Sequence, residues 1–116
     1  MRARIPLDYD RRMQQPSRLD KLRSFAQARP ADAFAHYGLA MEYLKLGQLD
    51  DALAVFEALL SLDPLYVPAY YHATRGLLAA GRREEAEALA ARGLHACDAK
   101  GDAHAKEELL ALISTT

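Results

Sequence analysis

Apolar side chains recur along this chain at helical spacing, and each run stops at a glycine or a proline. Leu19, Leu22, Phe25 and Ala26 form the first such run, which ends before Pro30. Ser17 just ahead of it, with Asp20 in the first turn, has the form of a helix N-cap. The same periodicity predicts helices near 32–46 and 50–62, broken at Gly47, and near 67–80 and 84–97, broken at Gly81. Pro68 falls in a first turn, where its missing N–H costs nothing. A last helix is predicted from about Gly101-Asp102 to Ser114. Its apolar side carries Ala105, Leu109, Leu110, Leu112 and Ile113, while Lys106, Glu107 and Glu108 face water. Residues 1–16 contain Pro6, Pro16 and many charges, and predict an extended or disordered arm. Ala and Leu dominate while Val, Ile and Thr are sparse, so the prediction is an all-α chain of about six helices.

The breaks are periodic. Pro30 and Pro64 lie 34 residues apart, as do Gly47 and Gly81, and Ala52 and Ala86. A 34-residue period marks a repeated helix–turn–helix hairpin, which cannot bury its apolar face alone and stacks on its neighbours. Two units follow, 33–66 and 67–100. Identities between them fall at Ala35/Ala69, Tyr37/Tyr71, Leu44/Leu78, Gly47/Gly81, Ala52/Ala86, Ala54/Ala88 and Leu60/Leu94. In phase, the helix over 17–29 matches the second helix of a unit and acts as an N-terminal cap. The helix over 101–115 matches the first helix of a third unit and closes the other end. That phase sets His36 and His104 opposite Tyr70, at a packing position.

These residues resemble the tetratricopeptide repeat family. The first unit offers Leu39, Ala40, Tyr43, Ala52, Phe56 and Pro64 at the family's marked positions, with His36 in place of a bulky aromatic. The second departs further, with Tyr70, Ala73, Thr74, Leu77, Ala86, Ala90 and Asp98. The resemblance implies one domain over 17–116, a right-handed α-solenoid of antiparallel helix pairs. It also implies a non-enzymatic interaction module whose first helices line a concave groove. Carried over residue by residue, the groove positions are Phe34, Tyr37, Met41, Leu44 and Lys45 in the first unit and Pro68, Tyr71, Arg75, Leu78 and Ala79 in the second. The last helix adds Asp102, Ala105 and Leu109. The expected partner-binding set is Phe34, Tyr37, Met41, Leu44, Tyr71, Arg75 and Leu78.

The residues point the same way independently. The helix over 32–46 is apolar nearly all round, so it must be covered on most sides. Neighbouring helices cover two of them. The remaining stripe is open to a partner peptide or helix, to the chain's own arm through Ile5, Leu7 and Tyr9, or to a second copy in a homodimer. An accessory subunit of a larger complex is a further reading. The family's clamp for the C-terminal carboxylate of chaperones is not expected, because only Arg75 among its positions is of the right type. Arg75 has a partner's acid or Glu42 as candidate counter-charges.

Net charge is −1 but uneven: residues 1–30 are strongly basic and 31–66 strongly acidic. The basic residues near the start are not interleaved with aromatics, so nucleic acid is not an expected partner. No apolar run is long enough for a membrane span, and the start lacks the apolar core of a secretory signal. With a single cysteine, Cys97, a reducing cytoplasm is the expected compartment. The four histidines show no zinc-ligand spacing, and no cofactor motif is present, so no metal, cofactor or catalytic residue is expected. Cys97 is read as a small buried hydrophobe. Gly76 and Gly93, inside helices, are read as sites of close helix approach.

Overall fold

The computed structural model describes residues 16–115. The expectations for the arm, including Ile5, Leu7 and Tyr9, therefore lie outside the described residues. Among the described residues there are six helices and no strand. They are α1 (Arg18–Ala28), α2 (Ala33–Lys45), α3 (Leu49–Leu62), α4 (Val67–Ala79), α5 (Arg83–Lys100) and α6 (Ala103–Ser114). Each helix packs on the next, and α4 also touches both α2 and α6. The first helices of successive units therefore stand side by side, with the second helices on the other face.

Local chemistry sets the boundaries. Ser17 and Asp20 form a reciprocal capping box on α1. Asp32 and Asp102 cap α2 and α6 through their carboxylates. Gly47 and Gly81 take φ of 74° and 75°, the left-handed region that costs other residues about 1–2 kcal/mol. That bend lets Gln48 N–H reach the Tyr43 carbonyl, and Arg82 N–H the Leu77 carbonyl, at 2.9 Å each. These bonds satisfy carbonyls the helix end would otherwise leave without partners.

One apolar cluster runs the length of the stack. It takes Leu39, Ala40 and Tyr43 from α2, Phe56 and Leu59 from α3, Tyr70, Ala73 and Leu77 from α4, and Leu89 and Cys97 from α5. Small residues at Ala40, Ala52, Ala69, Ala73, Ala86 and Ala90 are fully buried. They let the backbones approach closely. The limit is reached at Gly93, where an added Cβ would stand 2.7 Å from Tyr70 Cβ on α4 and 2.7 Å from Leu109 Cδ2 on α6. Gly76 is less tight, at 3.0 Å from Leu49 Cδ1 and 3.1 Å from Leu44 Cδ2. The cap α1 is held by its own apolar side and by two polar ties. Arg18 Nε donates to Glu42 at 2.9 Å, and Arg23 Nη2 donates to the Tyr43 hydroxyl at 3.0 Å.

The register departs from the 34-residue period at one point. The fourth helix start, Val67, follows Ala33 by 34 residues, but Ala103 follows Val67 by 36. The cause lies at residue 98. Pro64 cannot continue a helix; its counterpart Asp98 can, so α5 runs to Lys100 rather than ending near 97. Gly101, at φ 73°, then ends it.

Polar latches track the shift. His36 Nε2 lies 2.9 Å from the Pro30 carbonyl, and the Tyr70 hydroxyl donates to the Pro64 carbonyl at 2.7 Å. The third latch is made by Lys106, two residues past the strict repeat position, which donates to Asp98 at 2.7 Å. His104 is therefore not at a packing position as its spacing suggested. Its side chain is 83% exposed and pairs with Glu108. His36 does have the structural use expected of it. Since a carbonyl only accepts, Nε2 carries the hydrogen.

Candidate functional site

The face made by the first helices carries an aromatic cluster around a cleft. Tyr37 comes from α2, and Tyr71 and His72 from α4, each half-buried. Tyr66, at the N-cap of α4, joins them. Ring centres lie 5.3 Å apart for Tyr37 and Tyr66, 6.0 Å for Tyr37 and His72, and 5.2 Å for Tyr71 and His72, the last pair edge-on. Val67 and Pro68 line one wall, and Ala105 and Leu109 from α6 the other. The cleft they enclose is about 480 Å³. Lys100, Asp102 and Glu108 stand at its edge.

Burial pushes the Tyr37 phenol up, with the Arg75 charge opposing, and burial likewise raises Tyr66. Burial, then the Arg75 charge, holds the His72 imidazole below its usual 6.5. Its Nδ1 is buried without a hydrogen-bond partner. A proton there would lack an acceptor, so the neutral ring carries its hydrogen on Nε2. The unfolded chain binds a proton more readily at this site than the folded one. The stability held above pH 6.5 is therefore lost as pH falls toward the lowered folded value. The expected result is a smaller loss of melting temperature between about pH 7 and pH 5 in His72→Phe than in the parent, measured by circular dichroism. Glu85, held low by the hydrogen bond from Arg82, titrates below that window.

The family model for the tetratricopeptide repeat matches residues 33–66. A tetratricopeptide repeat domain protein from Salinibacter ruber is 34% identical. Its crystal structure aligns over 71% of this chain and 92% of that one, at a TM-score of 0.63. Its solution structure aligns over 74% and 87%, at 0.66. The chain belongs to the tetratricopeptide repeat family. A protein from Bordetella parapertussis shares the fold at 24% identity, covering 87% of this chain and 88% of that one, with a TM-score of 0.74. No curated protein is significantly similar to the chain. Tetratricopeptide repeats generally serve as protein–protein interaction modules and non-enzymatic scaffolds.

The residues expected in the tetratricopeptide groove do not all gather in one place. Tyr37 and Tyr71 meet in the cleft. Arg75, one turn beyond Tyr71, has its guanidinium 5.9 Å from that ring. Met41, Leu44 and Leu78 are half-buried and packed against the core. Leu44 instead lines a separate depression of about 270 Å³ with Leu49 and Gly76. Phe34, 68% exposed, stands at the start of α2 outside the cleft lining.

Leu109 lines the cleft as expected, but as a buried side chain: it is only 1% exposed, with Cδ2 against Gly93, because the register shift moves α6 by two residues. It closes the floor of the cleft, and Glu108 and Ala111 stand beside Tyr71 instead. Arg75 does not pair with Glu42, whose carboxylate is taken by Arg18. The sequence reading also missed His72 and Tyr66. His72 flanks Tyr71, which was selected, and Tyr66 lies two residues before Pro68; their aromatic character was the available signal.

Cys97 is 1% exposed, and burial raises its thiol pKa, so it stays protonated as a core side chain. No described helix is long and apolar enough to cross a membrane.

Proposed function

We propose that the protein is a non-catalytic interaction module that holds a peptide or helix of a partner protein against the face of α2, α4 and α6. Tyr37, Tyr71 and Arg75 are the anchoring contacts, Met41, Leu44 and Leu78 extend the apolar floor, and Phe34 lies at its open end. The observation that carries this reading is the cleft itself. Half-buried aromatic rings surround a volume that no described side chain fills. Such rings offer large contact area at low cost in conformational entropy, which is how aromatic side chains anchor a bound segment.

The test is affinity capture from the native lysate, comparing the parent with Tyr37→Ala/Tyr71→Ala/Arg75→Glu, whose fold is checked by circular dichroism. A protein retained at fixed stoichiometry by the parent and lost by the variant is the expected result. Equal retention by both would place binding elsewhere. A parent that retains only itself would transfer the face to a homodimer.

A further inference from the structure

The charges around the cleft are unequally committed. Its carboxylates already have partners. Asp102 accepts the Ala105 N–H as the cap of α6, and Glu108 pairs with His104. Its cations do not. Among the described residues no carboxylate lies in ion-pair range of Arg75 or Lys100, and Lys100 Nζ reaches only the Leu65 carbonyl, at 3.3 Å. Arg75 is exposed, stands against Tyr71, and its charge acts on both Tyr37 and His72. With Nδ1 buried, the Nε2–H of His72 is the donor left for the cleft. The site thus presents hydrogen-bond donors and two cations without acid partners beside the apolar lining of Val67, Pro68 and Leu109.

We infer that the cleft recognises a partner segment in which an aspartate or glutamate side chain lies beside an aliphatic one, the carboxylate on Arg75 within reach of His72 and the aliphatic group on the floor. The inference rests on the reading of this face as a binding surface and names the chemistry of its occupant. A guanidinium–carboxylate contact is charge-assisted and strong where apolar walls exclude water. A cationic side chain seated against Arg75 would meet a like charge at close range, so this end of the cleft discriminates by sign as well as by shape.

The experiment selects binders for the full-length protein from a library of random short peptides displayed on phage, and then measures each by fluorescence anisotropy. The expected binders are enriched in Asp or Glu next to Leu, Ile or Val. Arg75→Gln should weaken them roughly ten-fold or more, and Arg75→Lys less. Replacing the peptide's acid by its amide should cost about as much, and the two losses should not add, because they remove one contact. Binders that need Tyr37 and Tyr71 but show no acid enrichment would overturn the carboxylate and keep the groove. Binders indifferent to Tyr37→Ala/Tyr71→Ala, or no binders at all, would overturn both. Residues 5–10, Ile-Pro-Leu-Asp-Tyr-Asp, carry the same chemistry within this chain. Peptides that bind only after Asp8→Asn/Asp10→Asn would give the cleft to that segment and overturn a separate partner.

Discussion

Phe56→Ala is expected to cost about 3–5 kcal/mol, the largest loss of any single truncation here. Phe56 is 1% exposed and is the largest side chain to be fully buried. It lies on α3 within the apolar cluster. Removing the ring forfeits its transfer free energy and leaves a cavity that short, alanine-lined helices can fill only by shifting together. A domain of this size is stable by only about 5–15 kcal/mol, so the variant should sit near its unfolding midpoint under mild conditions. Urea denaturation followed by circular dichroism checks it. The midpoint should fall sharply with the slope unchanged, since the surface exposed on unfolding is nearly the same. A midpoint within error of the parent would mean the first unit's core is not packed as described.

Gly93→Leu is expected to destabilise by about 1–3 kcal/mol, for the opposite reason. A Cβ there would already stand 2.7 Å from Tyr70 Cβ, an atom fixed to the α4 backbone. Leu109 could swing its Cδ2 aside, but Tyr70 Cβ cannot move without its helix. The penalty therefore outweighs the roughly 1 kcal/mol that glycine forfeits in a helix interior. Each kcal/mol should lower the melting temperature by about 4–8 °C in a domain of this length. Ala91→Leu, on the exposed side of α5, is the control and should melt close to the parent. An unchanged melt for Gly93→Leu would remove the close contact of α4, α5 and α6 from the account. That same contact seats Leu109 in the cleft lining, so the loss should also reshape the cleft.

Much of the fold was legible because its rules are local. Ser17 with Asp20, Gly47, Gly81 and Pro64 each act within a turn of the backbone, and the repeat then copies the result. The resemblance to the repeat family, carried over residue by residue, marked the first helices as a shared face and selected Tyr37 and Tyr71. Where it misled, the cause was also physical. A strict period assumes each unit has the same length, and Asp98 in place of Pro64 lets α5 add most of a turn. The consequence is carried into α6, whose buried side then falls on Leu109 and whose latch falls on Lys106 rather than His104. The pairing of Glu42 was hidden for another reason. Arg18 is 24 residues away in sequence and meets it only because α1 docks on α2. His72 was obscured because a lone histidine carries no spacing signal. Its place among Tyr37, Tyr66 and Tyr71 depends on how α2 and α4 lean together.

Site-specific photocrosslinking in the native host reads out directly which face of the stack a partner touches. The photoreactive residue p-benzoylphenylalanine replaces Tyr71 in one variant and Ala88 in the other. Tyr71 lies in the cleft of the first helices, whereas Ala88 is exposed in the groove between the second helices. The expected result is that irradiation joins a discrete partner through position 71 and not through position 88, and that Arg75→Gln diminishes the product. A partner captured through position 88 with none through position 71 would contradict it and move the binding surface to the opposite face of the stack.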